Sequence, residues 1–348
     1  KIMTKMLSEI LESPRVLTDL YGANEKTLAS LCEVLRARKI HHVVLAGRGT
    51  SDHACIYGQY LMAILGGVQA ALALPSAVTL YGAQPDLSDT LVIGVSQSGS
   101  AADVLGVMEE AKRHGAVVAS ITNYPDSKMA KAAEYSLLCN AGEETSVAAT
   151  KTFIAQLGLM YLLCACWFEK PELLEAFTKL PAVISAELTQ LQRDAQQITL
   201  PYRYMRDGFV LSRGLTYPVA LESMLKIQET CYIRMKGYSV SDFYHGPLAQ
   251  VDSDTPILLY APKGHAEEDN LAMVQRLIDI GAEPLVITDD AALAEKLPHS
   301  YLLPETGCEY TTPFLYAIFA QMFAQSLCAQ KGLNPDQPRN LKKGTITK

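Results

Sequence analysis

The stretch LVIGVSQSGSAAD, Leu91–Asp103, decides how this chain is read. Apolar residues of buried-strand character run into Ser-Gln-Ser-Gly-Ser, and a helical pattern (AADVLGVMEEAKRHG) begins directly behind them. Two readings fit. Serine is a good helix N-cap, so the loop can be an ordinary turn. Hydroxyls grouped with backbone amides at a helix N-terminus also make a favourable seat for a phosphate. The choice rests on the remainder of the chain.

Outward from that stretch, segments rich in Val, Ile and Leu alternate with helical patterns, the mark of parallel α/β architecture. HHVVLAGRG (His41–Gly49) reads as a strand ending in a glycine turn. TLVIGV, AVVASIT (Ala116–Thr122) and YSLLCN (Tyr135–Asn140) read as further strands, and a helix is expected from about Ala148 to Phe168. The series then restarts. GFVLSRG (Gly208–Gly214) matches VVLAGRG, TPILLYAPKGHAEED stands where TLVIGVSQSGSAAD stood, and IGAEPLVITDD mirrors HGAVVASITNY. Gly49 and Gly214 are offset by nearly the same interval as the Ile-Thr pairs beginning at 121 and 287. That interval makes two related domains, not a solenoid of short repeats. The second copy has Ala-Pro-Lys-Gly where the first has Ser-Gln-Ser-Gly. The fold therefore does not require the serines, and they are expected to hold a phosphate.

At 348 residues the chain is long enough for two domains, each with its own core. Hydrophobic residues at 49% and charged residues at 19% describe a globular protein, not a disordered one. A net charge of −7 argues against a nucleic-acid-binding surface. The apolar run Leu157–Trp167 is too short to span a bilayer and reads as buried helix, so no membrane association is expected. The opening KIMTKMLSEILESPRVL carries acids within its apolar pattern and does not read as a secretory leader. The eight cysteines lack paired zinc-site spacing, and Cys164 and Cys166 read as core packing. Reduced thiols and a cytoplasmic home are expected.

Six motifs then occur in order: GRGTSDHA, SQSGSAADV, SVAATKTFIAQL, YPVALESMLKIQE, HGPLAQVD and PRNLKKGTITK. Together they resemble the tandem sugar-isomerase (SIS) domain family. The resemblance extends to the isomerase half of glutamine–fructose-6-phosphate aminotransferase and, more closely, to stand-alone SIS-type glucosamine-6-phosphate deaminases and deglycases. It implies an α/β fold of two tandem SIS domains, each a parallel five-stranded sheet flanked by helices in a flavodoxin-like three-layer αβα arrangement. The implied division is N-terminal helices over 1–34, a phosphate-binding SIS domain over 35–168, a helical connector over 169–200, a second SIS domain over 201–335, and a tail over the active site from 336 to 348.

The resemblance also implies roles. The GTS turn and the SQSG loop bind the sugar phosphate, which names Gly49, Thr50, Ser51, Ser96, Gln97, Ser98 and Ser100. The VAAT stretch, with Val147 and Ala148, is similar to a segment whose backbone lines the sugar. The catalytic set is similar to Glu229, His245 and Lys343, with Lys226 as a polar neighbour. Moving a proton between C1 and C2 needs one placed base, and a partly buried carboxylate suits that task. Glu229 takes this part. His245 assists ring opening and comes from a neighbouring subunit, so a homodimer with a shared active site is implied. Lys343 stabilises the developing oxyanion. The remaining histidines, at 41, 42, 53, 114, 265 and 299, read as surface or core residues. Read without the family, Glu222, Lys226 and Glu229 share one helical face and would pass for a solvated salt-bridged stripe.

The chain departs from the glutamine-dependent members at Ser100 and Ala101, where they carry Glu-Thr, at Ala149, where they carry Ser, and at Gln228, where they carry Lys. About forty residues precede the first strand, with no cysteine at the start to serve a glutaminase. The expected reaction is therefore release: an amino-sugar hexose 6-phosphate goes to a ketose phosphate and ammonia, or a fructosamine-type 6-phosphate is deglycated. A non-catalytic sugar-phosphate regulator is the alternative from another class. A nucleotide-binding reading of GRGTSD fails because the third fingerprint glycine is missing and no Gly-Lys-Ser/Thr loop occurs. No metal or cofactor is expected, since no His/Cys/Asp/Glu cluster has ligand spacing and enediol chemistry needs none.

Overall fold

The computed structural model describes residues 3–343; residues 1–2 and the end of the expected tail, 344–348, lie outside the described residues. The strands are β1 (His42–Ala46), β2 (Gln69–Leu72), β3 (Thr90–Val95), β4 (Val117–Thr122), β5 (Tyr135–Leu138), β6 (Asp207–Ser212), β7 (Arg234–Ser239), β8 (Ile257–Tyr260), β9 (Leu285–Thr288) and β10 (Ser300–Leu302). They form two five-stranded sheets, ordered β2-β1-β3-β4-β5 and β10-β9-β8-β6-β7. Every pairing is parallel. Read from the opposite edge, the second order is the first one again, so the sequence repeat is a repeat of topology.

The chain divides into two compact units. One is Glu12–Pro181 with the tail residues from Leu341; the other is Ala182–Asn340 with the N-terminal residues up to Leu11. The division falls inside the helix Pro171–Ile198. The sequence reading sets residues 1–34 aside as one segment. In the structure the helix Lys5–Leu11 packs on Thr312–Gln330 in one unit, and the helix Ser13–Ala37 packs on Lys151–Trp167 in the other.

In the first unit, β3 and β4 are buried along their whole length, as central parallel strands covered on both faces must be. The helix Ala102–Arg113 presents Val104, Val107, Met108 and Ala111 at helical spacing, and that stripe packs with Val92 and Val118 of the sheet. The helix Lys151–Trp167 is buried almost all round, which explains its lack of polar periodicity. Cys164 sits in that core, and all eight cysteines are free thiols. In the second unit the apolar helix Thr312–Gln330 is likewise buried and packs against Tyr217–Cys231.

Three strands escape the sequence reading, and each has a physical reason. β2, β7 and β10 are all edge strands. β2 is short and half-buried, β7 interrupts its pattern with Lys236 and Gly237, and β10 has three residues. Among the described residues no helix is long and apolar enough to cross a membrane.

Close packing in the first unit depends on Gly158, where an added Cβ would stand 2.5 Å from Leu20 Cδ2 and 3.3 Å from Phe177. A Gly158→Val substitution is expected to lower stability by about 1–3 kcal/mol through overpacking. Urea denaturation followed by circular dichroism checks this, and an unchanged midpoint contradicts it.

Candidate functional site

In the first sheet the chain leaves β1 toward β2 on one side and returns as β3 on the other. Loops at the carboxyl ends of such a pair diverge and open a crevice, the usual ligand position in open α/β sheets. Gly47–Ser51 leaves β1 there, and Ser96–Ala101 leaves β3.

The β3 loop is a closed turn. Gly99 N donates to Ser96 O at 3.2 Å, and Gly99 O accepts from Met129 N at 3.1 Å. Gly99 has φ +61°, and a Cβ there would collide with the Ser127 side chain and stand 2.7 Å from Thr122 Oγ1. Only glycine fits. Gln97 O accepts from Asn123 N at 3.1 Å, which ties the turn to the end of β4. Ser98 Oγ accepts from Ser100 N at 3.3 Å. The helix that follows begins at Ala102 with Ala101 as its N-cap; no serine caps it, and the first-turn carboxylate of Asp103 accepts from Val104 N at 3.0 Å. The serines are therefore not spent as an N-cap. Among the described residues the amides of Gln97 and Ser98 have no protein acceptor.

The β1 loop meets this turn. Arg48 Nε donates to Asp103 Oδ2 at 2.7 Å, with Asp103 buried and Arg48 half exposed. Gly49, φ +54°, is the N-cap of the helix Thr50–Gly66, again without a side-chain cap. Thr50 lies half-buried at its first position. Ser51 is buried, and its hydroxyl accepts from Gln156 Nε2 at 3.1 Å. A Cβ at Gly47 would sit 2.8 Å from Ser51 C, so the turn is tight by necessity.

The segment with Val147 and Ala148 is organised by Glu144, whose carboxylate is fully buried. It accepts from Thr150 N at 2.9 Å, Thr152 N at 3.1 Å and Thr152 Oγ1 at 2.8 Å, placing negative charge at the start of the helix Lys151–Trp167. Lys343 Nζ completes the shell at 2.8 Å from Glu144 Oε2. Ser146 Oγ donates to Ala148 O at 2.6 Å. The structure thus gathers Gly49, Thr50, Ser51, Ser96, Gln97, Ser98, Ser100, Val147, Ala148 and Lys343 in one unit.

In the other unit Glu222, Lys226 and Glu229 meet on the helix Tyr217–Cys231. The stripe is not solvated. Lys226 and Glu222 are fully buried and Glu229 is about one-fifth exposed. Lys226 Nζ stands 3.2 Å from Glu222 Oε1 and 2.5 Å from Glu229 Oε2. Burial opposes the Lys226 charge, yet the two carboxylates outweigh it and hold the ammonium well above its ordinary 10.5. Gln228 Nε2 donates to Met235 O at 2.7 Å, fastening the helix end to β7. His245 lies exposed on the turn before Gly246, and it neither hydrogen-bonds nor ion-pairs with the trio.

The second copy of the crevice is filled from within. Arg213 Nε pairs with Asp269 at 2.8 Å, repeating Arg48–Asp103. After β8, however, His265 N donates to Glu309 Oε1 at 2.9 Å, and His265 Nδ1 stands 2.7 Å from Glu309 Oε2. Lys263 Nζ pairs with Glu305 at 2.6 Å. Carboxylates of the chain itself occupy the donors of that loop, whereas the first copy leaves hydroxyls and amides facing outward. Arg48, Asp103, Glu144 and Gln156 were not singled out from the sequence. The aligned Arg and Asp of the two copies are the signal for the first pair; Glu144, in a polar loop, has none. Among the described residues no group of three His, Cys, Asp or Glu is arranged to hold a metal.

The buried trio yields a stability prediction. Lys226→Met removes the ammonium that faces the buried Glu222 carboxylate, and a loss of about 3–5 kcal/mol is expected. A lysine raised above its ordinary 10.5 contributes stability that is fully present below that pH and lost as the pH rises through the folded value. The wild-type minus Lys226→Met difference in unfolding free energy should therefore narrow only above about pH 10 as far as Lys226 is concerned. A variant as stable as wild type at pH 7 contradicts the assignment.

Comparison with known proteins agrees with this geometry. The model of the SIS domain matches residues 37–165 and 206–329, one match to each sheet. The chain is 32% identical over 345 residues to a glutamine–fructose-6-phosphate aminotransferase of Pyrococcus horikoshii, covering 97% of this chain and 57% of that protein. It thus spans little more than half the length of such relatives. Among solved structures, the C-terminal domain of the glucosamine–fructose-6-phosphate aminotransferase of Francisella tularensis superposes with a TM-score of 0.87 at 25% identity, covering 97% of this chain and 99% of that one. The glucosamine-6-phosphate deaminase of Thermotoga maritima shares the fold, with a TM-score of 0.77 at 22% identity and coverage of 99% and 100%. With both halves matched, sheet for sheet, the chain belongs to the SIS domain family.

Proposed function

We propose that this chain is a phosphosugar isomerase of the deaminating kind. Its substrate is an amino-sugar or amine-linked hexose 6-phosphate, such as glucosamine 6-phosphate, converted to fructose 6-phosphate and ammonia by C1–C2 proton transfer. One observation carries the reading: among the described residues the Gln97 and Ser98 amides of the β3 turn have no protein acceptor, beside a helix N-terminus that no serine caps, while the equivalent turn of the second copy is filled by Glu309. A phosphate dianion satisfies such donors, and the dipole of the helix Ala102–Arg113 favours it. Ser96, Gln97, Ser98 and Ser100 are the principal anchors, with Thr50 and Ser51 beside them. Val147 and Ala148 line the sugar.

The proton is moved by Glu229. Lys226 donates to Glu229 Oε2, which orients the carboxylate and leaves Oε1 for the substrate. His245, supplied by a second copy of the chain, serves ring opening, so the active species is a homodimer. Lys343 brings an ammonium that offsets charge on the developing oxyanion, and Glu144 sets its position. The reaction class needs no cofactor: abstraction at C2, reprotonation at C1 and hydrolytic loss of ammonia conserve the redox state of the sugar.

Incubation with glucosamine 6-phosphate is expected to yield fructose 6-phosphate and ammonia in equal amounts. Glu229→Gln should lower kcat about 10²–10⁴-fold with little change in substrate affinity. Ser96→Ala should weaken binding about tenfold, the loss of one hydrogen bond to a charged group. Turnover of a fructosamine 6-phosphate instead, with release of its amine, assigns the deglycase outcome. Folded, dimeric protein inert toward every hexose 6-phosphate amine overturns the proposal.

A further inference from the structure

A second cationic feature lies in the unit Ala182–Asn340, away from the β3 turn. A cleft of about 640 Å³ opens where the loop Arg203–Arg206 leads into β6 and Tyr232 leads into β7. That volume is within the range of about 300–1,000 Å³ usual for small-ligand sites. Its wall carries the guanidinium groups of Arg203, Arg206, Arg234 and Arg339. In a chain of net charge −7 such a concentration is a departure from the whole.

The wall is built and most of its charge is not paired. The guanidinium carbon of Arg203 lies 4.5 Å from the centre of the Tyr204 ring and that of Arg339 3.9 Å from the centre of the Tyr232 ring, so two of the cations rest over aromatic rings. The Tyr232 hydroxyl accepts from Arg339 N at 3.0 Å, and Tyr232 itself holds φ +60°. Lys331 Nζ donates to Arg203 O at 2.9 Å and Met205 O at 3.1 Å, binding the loop to the end of the last helix. Arg234 N donates to Arg206 O at 3.0 Å. The one carboxylate in reach is Asp207, 3.6 Å from Arg234; among the described residues Arg203, Arg206 and Arg339 pair with none. Stacked guanidinium groups present their edge donors, the arrangement that suits multidentate phosphate recognition.

The geometry points to a binding site for a polyphosphate anion, either an inorganic chain or the phosphate tail of a nucleotide. A single phosphate engages one or two guanidinium groups; a triphosphate bridges several around one cleft and relieves their mutual repulsion. The cleft shares no residue with the β3 turn, although Arg339 belongs to the tail and Cys231 ends the helix that carries Glu229.

Calorimetric titration of the full chain with sodium tripolyphosphate and with ATP, at about 50 mM salt, is the test. Saturable binding that weakens steeply as salt is raised is expected. Arg203→Gln/Arg206→Gln and, separately, Arg206→Gln/Arg339→Gln should each cost about tenfold or more in affinity, with circular dichroism and melting unchanged. Ser96→Ala should cost nothing. Binding of both probes assigns the polyphosphate chain as the ligand, and binding of ATP alone adds the nucleoside. No binding of either probe overturns the inference. So does binding that both arginine variants retain, or that hexose 6-phosphate displaces and Ser96→Ala abolishes.

Discussion

The candidate site hangs on the turn closed by Gly99 N donating to Ser96 O. Because Gly99 takes a left-handed φ and has no room for a Cβ, the backbone folds tightly against Ser127 and Thr122. Among the described residues the amides of Gln97 and Ser98 are left without a protein acceptor, and Ala101 gives the next helix no side-chain N-cap. Three sources of partial positive charge then converge: free amides, hydroxyl donors and a helix dipole. The carboxylate nearby, Asp103 in the first turn of the helix, is itself paired with Arg48. The sheet order adds the place, since the loops that follow β1 and β3 part at the carboxyl ends of this pair.

The second copy shows what the first has given up. Its topology, its Arg–Asp pair and its core packing repeat those of the first. Its loop after β8 is nevertheless satisfied internally by Glu309 and by the Lys263–Glu305 pair. Specialisation followed from the polar groups at one turn, without change of fold. The second copy contributes instead a buried ammonium flanked by carboxylates, an arrangement costly to assemble and costly to break. A surface ion-pair stripe would have had neither property.

Much of this was legible in the sequence because the informative signals were local or repeated. The central strands announce themselves by unbroken apolar runs, and the restart at GFVLSRG gives the duplication. The edge strands β2, β7 and β10 do not, for an edge strand needs no strong pattern to pair on one side. At the site, Ser96–Ser98 stand out because the second copy lacks them. Glu144 does not: Glu-Glu-Thr in a polar loop reads as solvent-exposed, and only the three-dimensional fold shows one carboxylate collecting Thr150, Thr152 and Lys343. The same limit applied to Glu222 and Lys226, whose spacing suited a wet helix face as well as a buried pair.

A crystal structure with a bound hexose 6-phosphate tests the central claim most directly. The account predicts the phosphate seated on the β3 turn, its oxygens about 3 Å from the Ser96 and Ser98 hydroxyls and from the Gln97–Ser98 amides. A phosphate bound away from that turn, with Ser96–Ser100 making no contact to it, would contradict the account.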